Sequence, residues 1–201
     1  MAASQPALSR RDSILAATVR LFSDQGYLAT TIRDIAGAVG LLPGSLYVHI
    51  ESKELLLLEL VEDGIDRFLV VCEPAAESAA AADVRLREVI AAFIAVAAAE
   101  PELTLVALHQ WKHLTGPGRT RVMEKRRRFE HIFLRLIEEG IETGAFRPGL
   151  SPRVAVLMII GALNWAPEWV SAQGPATREQ IGEEFADIVL NGVARGGGAG
   201  A

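Results

Sequence analysis

TTIRDIAGAVGLLPGSLYVHIESK, residues 30–53, decides how this chain is read. Thr31 is placed to cap a helix over 32–39, its hydroxyl accepting an orphan amide at the second or third helical position. Ile32, Ile35, Ala36 and Val39 share one face of that helix. Gly40 permits a left-handed turn. Leu41 and Leu42 are expected to cover a small core. Pro43 suits the first turn of the next helix, where its missing N–H is not needed. Ser52 then caps a third helix. The spacing combines a small residue at Ala36 for a close helix crossing, a turn glycine at Gly40 and an apolar anchor at Leu46. Together they point to a helix-turn-helix, a unit that lays its second helix in the DNA major groove. A three-helix packing with no DNA role would want the same three residues.

Upstream, Ser9-Arg10-Arg11-Asp12 reads as a capping box with Asp in place of Glu. Ile14, Ala17, Leu21 and Leu15, Thr18, Phe22 recur at helical spacing, and Gly26 ends that helix. Tyr27 and Leu28 are expected to pack back on the bundle. Downstream, a long helix runs from Lys53 to about Cys72, where Pro74 is expected to stop it. Helical patterns resume at 83–99, 103–114, 119–144, 152–170 and 178–193. Pro101, Gly116-Pro117-Gly118, Pro148-Gly149 and Gly174-Pro175 separate them, Pro167 is expected to kink or end the helix it falls in, and Ser151-Pro152 and Thr177 with Gln180 read as helix starts. No segment alternates with period two. The reading is all-α, with about nine helices. A head over 9–53 precedes a helical body over 54–195, with flexible tails at 1–8 and 196–201.

The charge balance supports this division weakly. The 201 residues carry a net charge of −5, yet residues 1–53 hold five basic and four acidic side chains, so the excess acid lies in the body. Cys72 is the only cysteine, which excludes an intrachain disulfide and a cysteine-rich metal site and fits a reducing cytoplasm. The N-terminus has no apolar core of the kind a signal peptide carries. The longest apolar stretch, 154–166, falls short of the ~20 residues a membrane span needs. No phosphate-cradling glycine loop, nucleophile–histidine–acid spacing or HExxH is present, so an enzyme is disfavoured. His109 and His113 sit four apart, but no third metal ligand is evident. Nothing calls for a cofactor.

Residues 9–60 resemble the N-terminal domain of the TetR family of bacterial one-component regulators. The resemblance lies in TTIRDIAGAVG followed by GSLYVHIESKELL, with the Thr-Thr pair, Ile-Ala, Gly40, Gly44, Leu-Tyr, His49 and Ser52-Lys53 in register. Ile50 departs from the Phe usual in the family. Pro43 stands where a basic or polar residue is common. The resemblance implies that Thr31 and Arg33 meet phosphate or a groove-edge base. It implies that Pro43 begins the DNA-binding helix, that Gly44 and Ser45 lie close to base edges, that Tyr47 contacts phosphate or a thymine methyl, and that His49 lies near the backbone. Lys53 would contact phosphate at the start of the fourth helix. On residue type alone, Tyr47 could also be a core aromatic and Lys53 a solvated charge, and His49 is more readily structural than base-reading.

For the body, the resemblance implies ligand binding and dimerisation. Val154, Leu157, Met158 and Gly161 on one helix, with Ile181, Phe185, Ile188 and Val189 on another, form stripes suited to a four-helix bundle between two subunits. Both stripes could instead be consumed within one subunit. Phe93, Leu105, Leu108, His109, Trp111, Phe129, Phe133, Met158 and Trp165 are candidates to line a ligand cavity, or simply to fill the core. The segment from Trp165 through REQIGEEFADIVLNG resembles that of family members sensing acyl-CoA thioesters. Lys125-Arg126-Arg127-Arg128 could hold CoA phosphates, although four consecutive helical residues point in all directions. The expectation is a cytoplasmic regulator, more readily a repressor, that binds a palindromic double-stranded operator as a homodimer and is released by a small apolar ligand such as an acyl-CoA. A ligand-independent DNA-binding protein and a helical enzyme are the alternatives.

Overall fold

A computed structural model describes residues 9–169 and 178–193, with no extended strand among them. The expected tails, the Gly174-Pro175 break and the Thr177 cap lie outside the described residues or at their margin. Helix α1 spans Arg10–Asp24, α2 Ile32–Ala38, α3 Pro43–Leu46, α4 Lys53–Ala76 and α5 Ala82–Ala99. Then come α6, Pro101–Leu105, and α7, Gly116–Glu142. Helix α8 covers Pro152–Leu163, α9 is the stub Ala166–Trp169 and α10 is Arg178–Val193.

The head forms by the local rules its sequence obeys. Ser9 and Asp12 close a capping box in both directions, and so do Thr31 and Asp34. Ser52 Oγ accepts the amide of Leu55. Gly26 takes φ +82° after the C-cap of α1, and Gly40 takes φ +68° in the turn. Ala36 is fully buried where α2 crosses, and Leu46 is fully buried where α3 anchors. Ile50 is buried in its core position. Tyr27 packs back as expected; Leu28 does not, its side chain lying largely in solvent.

Three boundaries differ from expectation, each for a physical reason. Pro74 sits inside α4, which continues to Ala76. Four residues upstream is Val70, on the solvent side, where a carbonyl freed by the missing N–H can be hydrated. The pattern at 103–114 is not one α-helix. After α6 the chain widens into a π-helix at Val106–Gln110 and closes in a 3₁₀ turn at Trp111–His113. Such π insertions are rare and cluster at functional sites. The Gly116-Pro117-Gly118 cluster does not precede α7 but forms its first turn, with proline where no donor is required. The break expected at Pro167 within 152–170 is present. Pro167 cannot donate to Leu163 and its ring would crowd that carbonyl, so α8 ends at Leu163 and the chain restarts as α9.

One core runs the length of the molecule. Ile14, Phe22, Ile35 and Leu46 in the head join Leu57, Val61, Phe93, Val106, Phe133 and Leu163 in the body. Helix α4 belongs to both, packing against α1, α5, α7 and the π segment. At Gly64, α4 meets the π segment so closely that an added Cβ would lie 2.5 Å from the Cβ of Ala107. No single helix among the described residues is long and apolar enough to cross a membrane.

Candidate functional site

Helix α3 is one turn, begun by Pro43, with Tyr47–His49 following as further turn. Leu46 and Ile50 point into the core and fix the turn on the head. That leaves Gly44, Ser45, Tyr47 and Val48 facing out, Tyr47 at 56% exposure and Val48 at 81%. Pro43 and His49 are half-buried at its two ends. The His49 carbonyl accepts from Arg11 Nη1 at 2.9 Å, which ties α1 to the end of the turn. Leu42, the N-cap residue, is 75% exposed and supplies no side-chain cap. The outward face is therefore uncharged and partly apolar.

The other expected contacts fall around it. Arg33 is exposed on the first turn of α2. Thr31 is exposed too, but its hydroxyl is engaged with Asp34 Oδ2 at 2.7 Å. The Thr31 amide, donating to the same oxygen at 2.7 Å, and then that hydroxyl hold the Asp34 carboxyl below the usual carboxylate range. Lys53 turns inward. Its Nζ donates to the carbonyls of Tyr27, at 2.8 Å, and Thr30, at 2.7 Å, and sits 4.1 Å from the Tyr27 ring centroid. Two of its three donors are thus spent on the loop between α1 and α2. Burial lowers its pKa.

That loop is also where the head meets the body. The Tyr27 amide donates to Gln110 Oε1 at 3.1 Å, the last residue of the π segment. The Tyr27 ring stacks on His113, with centroids 5.6 Å apart and planes 20° apart. Burial, then the charges of Lys112 and Lys53, lowers the pKa of His113. Glu54 Oε1 accepts from both the amide and the hydroxyl of Thr115, a second tie, which holds its carboxyl below the usual range. Gln110, and the tie it makes to Tyr27, escaped the sequence reading. A polar residue following a buried apolar run gives no hint that its partner lies 83 positions away.

Within the body a cavity of about 340 Å³ opens between α4, the π segment, α7 and α8. Ile65, Phe68, Leu108, Phe129, Val156 and Ile160 give it apolar walls, and Trp111, Arg126 and Arg127 stand among them. Of the apolar and aromatic residues expected to line a ligand site, Leu108, Trp111 and Phe129 line this one. Phe93 and Phe133 are buried one layer back: Phe93 stacks on Phe68 and Phe133 meets the edge of Phe129. Leu105 precedes the π segment and Met158 faces solvent. His109 turns to the Asn164 carbonyl, 3.0 Å away, and to the edge of the exposed Trp165. His109 and His113 therefore point to different partners, and no group of three metal-binding side chains exists among the described residues.

The four-cation run on α7 divides by direction. Lys125 pairs with Asp66 at 2.5 Å, and Arg128 pairs with Glu73. Arg126 and Arg127 face the cavity. On α8, Val154, Leu157, Met158 and Gly161 are exposed, with Met158 at 72%. On α10, Ile188 is likewise 72% exposed, whereas Ile181, Phe185 and Val189 are half-buried and pack on the core. The α8 stripe is thus open to solvent, and the α10 stripe is partly used within the subunit.

Two family models match this chain. That of bacterial regulatory proteins of the tetR family covers residues 14–60, and that of the tetracyclin repressor-like C-terminal domain covers 79–193. The HTH-type transcriptional repressor KstR2 of Mycolicibacterium smegmatis is 30% identical over 97% of this chain and 95% of its own length. The structure of the ketosteroid transcriptional regulator KstR2 of Mycobacterium tuberculosis superposes with a TM-score of 0.86 at 28% identity, covering 97% of this chain and all of that one. AibR, solved in complex with isovaleryl coenzyme A and operator DNA, superposes with a TM-score of 0.80 at 25% identity, over 92% and 98% of the two chains.

Proposed function

From the premise that this chain belongs to the tetR family of bacterial regulatory proteins, we propose that it is a one-component transcriptional repressor, bound to a roughly palindromic operator as a homodimer and released by a small apolar ligand. The observation that carries the DNA part is the turn Pro43–His49. Leu46 and Ile50 anchor it, and Ser45, Tyr47 and Val48 face outward. Arg33 and Thr31 flank it at the start of α2, where they can meet the phosphate backbone. Residues 9–53 act as the reading head and residues 54–195 as the body.

The open stripe Val154, Leu157, Met158 and Gly161, with Ile188 of α10, supports pairing of two copies through α8 and α10 as a four-helix bundle. Ile181, Phe185 and Val189 back that surface from the core side. A twofold pair sets its two turns on successive major grooves, about 34 Å apart. The protein works in the cytoplasm, where its operator is. Its ligand enters the cavity bounded by Phe129, and the complex of AibR with isovaleryl coenzyme A supports an acyl-CoA as that ligand.

Release follows from where the cavity lies. Leu108 and Trp111 line it, and Gln110, between them in the chain, holds the amide of Tyr27. A ligand that displaces Trp111 moves the residue that grips the head. It shifts the equilibrium only by its differential affinity for the two head positions. The test is anisotropy titration of DNA from upstream of the protein's own gene. Tyr47→Ala should weaken binding at least about fivefold, the low end for one base contact, with an unchanged melting curve. Equal binding of wild type and variant, or of operator and scrambled DNA, would refute the assignment.

A further inference from the structure

The cavity has an apolar interior and an unbalanced charge at its edge. Within the run 125–128 the two outer cations are neutralised by Asp66 and Glu73, while the two inner ones, Arg126 and Arg127, turn to the cavity. Arg126 is half-buried, with its guanidinium carbon 4.5 Å from the centroid of Trp111. Arg119 approaches the same ring at 5.5 Å. Among the described residues no carboxylate lies within ion-pair distance of Arg126 or Arg127. Glu130, one turn further along α7 and also on the cavity wall, acts on Arg126 only at longer range. Burial lowers the pKa of Arg126, the mark of a cation partly withdrawn from water.

A guanidinium held partly out of water by an aromatic face retains its planar fork of donors. What it lacks is an acceptor. An anion with two coplanar or geminal oxygens supplies one, and the apolar walls behind it demand a hydrophobic remainder. We propose that Arg126 and Arg127 form an anion anchor at the mouth of the cavity, holding the charged group of an acyl-type ligand whose apolar chain fills the interior. This rests on the reading of the cavity as the ligand site. It orients the ligand, chain inward and charge outward, and it places the captured charge against Trp111. A captured anion competes with the Trp111 ring for Arg126. Ligand charge as well as bulk then reaches the Gln110–Tyr27 tie. The anion is the phosphate of a CoA thioester or the carboxylate of a free acid, two sources of one chemistry.

Isothermal titration of the full chain separates them. The probes are isovaleryl-, octanoyl- and palmitoyl-CoA, the matching free acids, and the uncharged N-acetylcysteamine thioesters. At least one CoA ester should bind, and Arg126→Gln should weaken it about 10- to 100-fold, the loss expected for hydrogen bonds to a charged group. Arg126→Lys, which keeps charge but loses the fork, should fall between. Arg127→Gln, at an exposed position, should also weaken binding, and Arg128→Gln, paired with Glu73, should not. The uncharged thioester should bind weakly and ignore Arg126→Gln. Sensitivity to Arg126 with the free acid alone would identify the anion as a carboxylate. Equal affinity of wild type, Arg126→Gln and Arg127→Gln for a bound CoA ester overturns the anchor while leaving the ligand site intact. Binding by none of the probes removes both.

Discussion

Lys53→Met separates two roles for one residue. The Lys53 ammonium donates to the Tyr27 and Thr30 carbonyls at 2.8 and 2.7 Å and lies 4.1 Å from the Tyr27 ring. Hydrogen bonds to charged groups contribute roughly 1.5–3 kcal/mol each, and the ring roughly 0.5–1 kcal/mol. Against this stand the burial that lowers the lysine pKa and up to about 2 kcal/mol of side-chain entropy. The two carbonyls can also be rehydrated in the variant. A net loss of about 2 kcal/mol follows, and methionine retains most of the aliphatic packing. For a chain of this size that is roughly 4–8 °C in Tm. The assay is thermal unfolding alongside operator binding from 50 to 200 mM salt. A clamp predicts a lower Tm, weaker binding and an unchanged dependence of log K on log salt. A phosphate contact predicts the opposite: an unchanged Tm and a slope shallower by about 0.9 per subunit. The second outcome would refute the clamp.

Gly64→Ala should destabilise by about 1–3 kcal/mol, because its methyl meets Ala107 at 2.5 Å, and it should disturb ligand release more than operator binding; denaturant melts and release titrations test both. Leu42→Ser should stabilise by about 1 kcal/mol by supplying the missing cap of α3, yet should weaken operator binding if the exposed leucine faces DNA. Deoxyuridine in place of thymine in the half-site should weaken binding of wild type but not of Val48→Ala. The exposed Val48 can take only the thymine methyl from the major groove. His113 is held below its unfolded pKa of about 6.5, mainly by burial. Its share of stability is intact above that value and is lost as pH falls through the folded pKa. Urea melts at pH 7.5 and 5.5 should therefore show a larger acid loss for wild type than for His113→Gln; parallel losses would contradict it.

The head was legible because its information is local. Caps at Ser9, Thr31 and Ser52, the turn at Gly40 and the anchor at Leu46 lie within a few residues of what they control. The outward direction of Tyr47 was left open by residue type, and the inward anchors Leu46 and Ile50 decide it. Lys53 was not legible, since its acceptors are backbone carbonyls at residues 27 and 30, and any sequence supplies carbonyls. In the body, the helices were readable and the cavity was not. Phe68, Phe93, Phe129 and Phe133 form one aromatic cluster, yet Phe93 and Phe133 fill it while Phe68 and Phe129 reach the void. That distinction depends on helix rotation, which hydrophobicity does not encode. The π insertion at 106–110 was hidden for the same reason: it conserves the apolar pattern while changing the turn that carries Gln110 to the head. Arg126 and Arg127 in the run at 125–128 became distinct from Lys125 and Arg128 only when Asp66 and Glu73 were seen to pair with the latter two.

Hydroxyl-radical footprinting of the full chain on DNA upstream of its own gene tests the central claim most directly. Two copies with Pro43–His49 turned outward should protect two symmetric patches on one face of the duplex, centred about one helical turn apart, and a bound ligand should abolish both together. A single patch, protection spread evenly along the fragment, or protection unaltered by Tyr47→Ala would contradict it.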